Sequence, residues 1–205
     1  ARVLWLIYAG FTVLLAAVFY GLHAAGIAPE MDLYNAVAHA LTTMPTGGFS
    51  PEARSIEPFA PAVQWVITLF MILAGTNFAL FWHASRGRTE RLTGNPEFRA
   101  YLVAITSVGA VAAALLFLGP GLAETPGGIP TIPGNPEHAL RQGLFQAAAI
   151  VTTTGYASMD FNTWSEPAKY VLLFAMFLGG SAGSAAGSVK IIRWYVVLMS
   201  IHREL

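Results

Sequence analysis

Four long stretches of this chain carry no charged residue: Val3 to Leu22, Pro58 to Trp82, Tyr101 to Ala123 and Tyr170 to Val189. A hydrocarbon layer of ~30 Å is crossed by roughly 20 helical residues. Backbone groups in lipid must find their partners inside the segment, so the predicted form of each stretch is a helix. Only 11% of the 205 residues are charged and 55% are hydrophobic, against about a quarter charged in soluble domains. The predicted class is an all-α integral membrane protein. The formal net charge is zero, so the balance suggests no nucleic-acid partner. With no cysteine, disulfides, thiolate metal sites and cysteine nucleophiles are excluded. The chain opens at Ala1 with only Arg2 ahead of an apolar run and no signal-peptide pattern, and reads as a piece of a longer protein.

The charges sort by side. Arg2, Arg86, Arg88, Arg91, Arg99, Lys190, Arg193 and Arg203 fall at one set of span ends, and Arg54, Arg141 and Lys169 at the other. By the positive-inside rule the richer side is cytoplasmic. Glu30, Asp32, Glu52, Glu57, Glu124, Glu137, Asp160 and Glu166 then lie outside, where they attract cations.

Between spans one and two, and again between three and four, lie apolar helix-prone segments too short to span, at 33–44 and 136–151. Asp32 is the expected N-cap of the first. Asn135 followed by Pro136 is the expected start of the second. Both half-helices would enter from outside and aim their C-terminal ends, each with about half a negative charge, toward the bilayer centre.

After the first half-helix comes Thr42-Thr43-Met44-Pro45-Thr46-Gly47-Gly48-Phe49-Ser50, and after the second Thr152-Thr153-Thr154-Gly155-Tyr156-Ala157-Ser158. Each places Thr-X-Gly-aromatic where the loop returns. A desolvated cation needs oxygens in place of its water, which an extended carbonyl-lined backbone supplies. Glycine permits the required backbone and threonine adds uncharged oxygens. The expected ion-filter residues are Thr46, Gly47, Gly48, Phe49, Thr153, Thr154, Gly155 and Tyr156, with the ion at the backbones of Thr46, Gly47, Thr153 and Thr154. Aligning Gly48 with Gly155 gives an offset of 107 at which Ala40 and Ala147, Thr46 and Thr153, Phe70 and Phe177, and Ala79 and Ala186 coincide. The order of long span, half-helix, Thr/Gly loop and long span thus occurs twice, as two helix, re-entrant pore loop, helix repeats. The expected units are 1–84, with spans 3–22 and 58–82, and 101–205, with spans 101–123 and 167–197. A cytoplasmic linker at 85–100 joins them. The Gly- and Pro-rich segment from Gly119 to Asn135 is an expected outer turret.

The two loops, the run Asp160-Phe161-Asn162-Thr163-Trp164, the stretch from Gly179 to Arg193 and the linker Glu97-Phe98-Arg99-Ala100-Tyr101-Leu102 resemble the potassium-translocating membrane subunit of the bacterial and archaeal Trk/Ktr uptake systems, nearest the Trk-type branch. The resemblance covers nearly the whole chain. It implies a potassium-channel-like filter, potassium as substrate with no bound cofactor, and a multi-pass protein of a bacterial or archaeal cytoplasmic membrane. Such proteins carry four pore units in one polypeptide. The two here match the third and fourth, so two further units are implied as partners, together with a homodimer and a cytoplasmic nucleotide-binding regulatory subunit.

Gly179, Gly180, Gly183 and Gly187 in the last span read either as a helix-packing face or as a mid-membrane interruption that gates. Lys190 and Arg193 read either as headgroup anchors or as gate residues, the resemblance favouring a gate role for Arg193. Asn77 reads as an interhelical hydrogen bond, and His39 as packed on a neighbour or facing the vestibule. No span holds an Asp, Glu or His at its middle, which disfavours an intramembrane enzyme or a proton-coupled carrier. The alternatives to potassium translocation are a non-conducting membrane scaffold and another cation channel of the same pore-loop architecture.

Overall fold

The computed structural model describes residues 2–119 and 134–204. The expected turret, the end of the third span and Glu124 fall largely in 120–133, outside the described residues. Among those described, every regular element is helical: α1 (Arg2–Ala24), α2 (Leu33–Thr43), α3 (Pro61–Ala74), α4 (Phe78–Ser85), α5 (Glu90–Thr93), α6 (Pro96–Leu118), α7 (Pro136–Val151), a 3-10 turn (Phe161–Thr163), α8 (Glu166–Ala175) and α9 (Ile191–Glu204).

Helices α1 and α6 have 23 residues each and are apolar enough to cross a membrane. At 1.5 Å per residue each reaches about 35 Å. Only Thr12, Leu15 and Phe19 of α1 are buried, so its other faces remain free for lipid or further helices. Helix α6 starts at Pro96, ahead of the expected 101, because Asn95 Oδ1 accepts from Phe98 N at 2.9 Å and Pro96 takes the first helical position. This start places Glu97 and Arg99 inside the helix.

The half-helices α2 and α7 begin on the caps their sequences indicate. Asp32 Oδ1 accepts from Asn35 N at 2.8 Å, and Asn135 Oδ1 from His138 N at 3.1 Å. Helix α7 is packed on α6 and α3, and ten of its 16 residues are buried. Close approach to α6 depends on Gly143, where a Cβ would stand 2.7 Å from Ala113 N and Gly109 O.

Neither the second nor the fourth span is one rod, which corrects the reading of 58–82 as a single span and decides the fourth, of its two readings, as an interruption. The expected span 58–82 is α3 and α4, bent by 95° at Gly75-Thr76-Asn77. The expected span 167–197 is α8 and α9 joined by irregular backbone over 176–190. Each break exposes helix-end groups that lipid cannot satisfy, and the two breaks satisfy each other. Ser181 N donates to Gly75 O at 2.9 Å, Ala185 N to Ala74 O at 3.2 Å, and Phe78 N to Gly183 O at 3.3 Å. Asn77 is therefore not an interhelical bond but the N-cap of α4, its Oδ1 accepting from Ala79 N at 2.9 Å. A core of Leu15, Phe19, Met44, Ile67, Met71, Tyr101, Ile105, Phe145 and Tyr156 joins both halves of the chain.

Candidate functional site

Both Thr/Gly loops leave their half-helices by the same path. Gly48 N donates to Thr42 O at 3.2 Å and Gly155 N to Ala149 O at 3.0 Å; Thr46 N donates to Thr43 O and Thr153 N to Ile150 O, each at 3.0 Å. These two pairs are repeated at the offset of 107, whereas Gly47 N also donates to Thr42 O at 2.9 Å without a counterpart at Thr154. The backbone repeats as well. Thr46 (φ 56°) and Gly48 (φ 66°) are left-handed, as are Thr153 (φ 57°) and Gly155 (φ 81°), whereas Gly47 and Thr154 between them are not. Threonine in this region is uncommon and costs roughly 1–2 kcal/mol. Two such threonines at matching positions mark an imposed conformation rather than two ordinary loops.

The loops touch through their backbones. A Cβ on Gly48 would stand 1.8 Å from the Thr154 carbonyl oxygen and 3.2 Å from Gly155 C, so the absence of a side chain at 48 is what lets the second loop lie there. Around Gly155 the corresponding space is open. Gly47 is less constrained, a Cβ there reaching only ordinary contact with Phe49 and Thr42. Beyond the aromatic positions the loops are joined by Ile56 N donating to Ala157 O at 2.9 Å and Ala157 N to Ser55 Oγ at 3.2 Å.

The aromatic residues after the glycines differ. Phe49 is 76% exposed, whereas Tyr156 is 1% exposed and its hydroxyl lies 2.6 Å from Thr42 Oγ1 and 3.2 Å from Thr43 Oγ1 at the end of α2. His39 is fully buried, with Nδ1 2.8 Å from Asn35 O and Nε2 2.9 Å from Ser50 Oγ, so it braces the outer leg of the first loop from behind. Behind the second loop, Ser158 Oγ donates to Gln142 Oε1. Gln142 Nε2 and the buried Arg141 guanidinium both donate to Gln64 Oε1 of α3. Arg141 also pairs with Glu137 at 2.9 Å. That hydrogen bond holds the exposed Glu137 carboxyl, in the first turn of α7, below its ordinary range.

Thr46 and Thr153 are the first left-handed turns beyond the C-terminal ends of α2 and α7. Against them lies the break in the fourth span. Thr46 Oγ1 lies 3.2 Å from Ala185 O and shares its one proton between that carbonyl and the nearer Pro45 O at 2.6 Å, and Gly187 N donates to Thr153 Oγ1 at 2.7 Å. Gly183 (φ 75°) abuts Asn77, with a Cβ there 3.1 Å from its Oδ1. Gly180 abuts Ala186 and Gly75 O, and Gly179 the Val189 and Gly187 carbonyls. The stretch is thus an interruption folded on itself, not a helix face. Lys190 Nζ donates to Ala186 O within it. Arg193 is exposed on the first turn of α9 and makes no side-chain hydrogen bond or ion pair among the described residues, so the geometry brings Lys190 but not Arg193 to this cluster.

Two contributors escaped sequence reading. Ala185 carries no chemical signal, since only its backbone acts. Glu97, seen only as a linker charge, accepts from Ala182 N at 2.6 Å and so pins the interruption from the N-terminal end of α6. Asn77 was legible in principle, because Gly75-Thr76-Asn77 joins a helix stop to a cap residue.

The family described as TrkH, cation transport protein, matches residues 1–205. The chain is 31% identical over its full length to the Trk system potassium uptake protein TrkH of Vibrio parahaemolyticus, covering 39% of that protein. It is 30% identical over 97% of its length to the Trk system potassium uptake protein TrkI of Halomonas elongata, covering 37% of that one. The crystal structure of the potassium transporter TrkH from Vibrio parahaemolyticus superposes on 99% of the chain and 40% of its own, at a TM-score of 0.83 and 30% identity. The chain spans about two-fifths of the length of these relatives. A two-fold helix, half-helix, loop and broken-helix plan and a family match along the entire sequence agree: this is a membrane protein of the TrkH cation transport family.

Proposed function

We propose that these residues form two of four pore units of a potassium uptake protein, and that the two Thr/Gly loops are half of its selectivity filter. The observation that carries this reading is the pair of loops that share two backbone hydrogen bonds and two left-handed turns at the 107-residue offset and meet at Gly48 and Thr154. The relatives' names supply the ion. Cations gathered by the acidic outer face lose water against the loop carbonyls, and the C-terminal ends of α2 and α7 stabilise the charge there. Selectivity needs only a modest difference between ions, since ~1.4 kcal/mol is a tenfold preference.

The interruption at 176–190 is the gate in this reading. It crosses the inner side of the loops, held by the bonds of Ala185 and Gly187 to Thr46 and Thr153, and conduction requires those bonds to break. The protein transports rather than catalyses. By family resemblance it works in a bacterial or archaeal cytoplasmic membrane as a homodimer on a nucleotide-binding regulatory subunit. The test is Gly155→Ser in the intact transporter, with potassium and sodium flux measured in liposomes. A lower potassium preference at normal membrane abundance supports the filter assignment. An unchanged preference removes it.

A further inference from the structure

Tyr156 occupies the position of a filter aromatic, yet it is buried, with its hydroxyl on a helix of the other pore unit. Its hydroxyl meets three oxygens of the last turn of α2: Thr42 Oγ1 at 2.6 Å, Thr43 Oγ1 at 3.2 Å and His39 O at 3.3 Å. The two threonine protons are already committed. Thr42 Oγ1 donates to Ala38 O at 2.9 Å and Thr43 Oγ1 to His39 O at 2.7 Å. With both threonines donating to these carbonyls the phenol is the donor, shared between Thr42 Oγ1, its nearest neighbour, and His39 O.

Four residues beyond Thr42 the chain turns at Thr46, and six beyond it lies Gly48, against which the Thr154 carbonyl rests. Besides the bonds of Ala157 to Ile56 and Ser55, the two loops are thus joined by backbone contact at Gly48 and by the hydroxyl bridge at Thr42. Phe49, at the matching position of the first loop, has no hydroxyl and is exposed, so the bridge exists on one side only.

We infer that Tyr156 is a positioning residue that sets potassium over sodium preference, its hydroxyl fixing the spacing between the two loops by bonding across the unit boundary to Thr42. The inference rests on the filter reading above. Where cavity size sets the preference, a carbonyl wall discriminates against the smaller ion by not closing in on it, and a brace behind the wall resists that movement. Removing the hydroxyl leaves the ring and its packing, and it orphans no donor, because both threonine protons keep their carbonyls.

The experiment measures potassium and sodium flux and membrane abundance for Tyr156→Phe, Thr42→Val, the double variant and Gly48→Ala in the intact transporter. Expected is a several-fold fall in potassium preference for each single bridge variant, up to about tenfold (~1.4 kcal/mol), with no further fall in the double variant. Potassium flux itself should persist. If Tyr156→Phe and Thr42→Val keep the normal ratio while Gly48→Ala loses it, the bridge is overturned and the filter stands. Equal losses of both fluxes at an unchanged ratio overturn it as well, as does an additive double variant. If no variant, Gly48→Ala included, moves the ratio at normal abundance, the filter reading falls and takes the bridge with it.

Discussion

Gly48 offers the sharpest test of the loop geometry, because the structure separates two costs that an alanine there would incur. The first is conformational: a Cβ in the left-handed region costs about 1–2 kcal/mol. The second is steric. The Cβ would stand 1.8 Å from the Thr154 carbonyl oxygen and 2.8 Å from its carbon. Real contacts of this kind essentially never fall below 3.0 Å, so the second loop must retreat by more than about 1 Å, and its backbone has no flexible side chain with which to yield. A displacement of that size exceeds the difference in radius between potassium and sodium. Gly26 isolates the first cost, since it is also left-handed at φ 72° but has nothing within 4 Å of a Cβ. Gly48→Ala should therefore lose potassium preference by tenfold or more, whereas Gly26→Ala should lose only stability, on the order of 1 kcal/mol. The assay is relative potassium and sodium flux through the purified intact transporter in liposomes, with membrane abundance as the control. A normal flux ratio in Gly48→Ala at normal abundance refutes the reasoning, and so does an equal loss in Gly26→Ala.

Two further outcomes follow from the placement of charges. With no native cysteine, an impermeant thiol reagent added outside should label Glu52→Cys but not Arg88→Cys; labelling at 88 overturns the assigned orientation. Glu97→Gln keeps an acceptor for Ala182 N but removes the charge, weakening a charge-assisted bond by about half; it should raise resting potassium flux without altering the ion ratio, and an unchanged resting flux would free Glu97 of any role in holding the interruption.

Much of the plan was legible from residue order alone. Charge-free runs dictate membrane helices because lipid offers the backbone no partner. Asp32, and Asn135 with Pro136, mark where α2 and α7 start, since capping is decided within a few residues. The offset of 107 already paired Gly48 with Gly155 and Thr46 with Thr153, and the same pairs share their left-handed backbones in the fold.

What only the tertiary structure decided lies where one segment's unsatisfied groups meet another's. The run 58–82 is apolar throughout and reads as one span; whether it bends depends on whether Ala74 O, Gly75 O and Phe78 N find partners outside it, and those partners, Ser181, Ala185 and Gly183, lie over a hundred residues away. The glycines at 179–187 were compatible with packing or interruption, and the same three bonds select interruption. Tyr156 and Phe49 are interchangeable as aromatics in a motif, but one is buried on Thr42 and the other is exposed, because only the Tyr156 side of its loop faces the neighbouring half-helix. Residue order states which groups need partners locally; it cannot state which distant backbone will supply them.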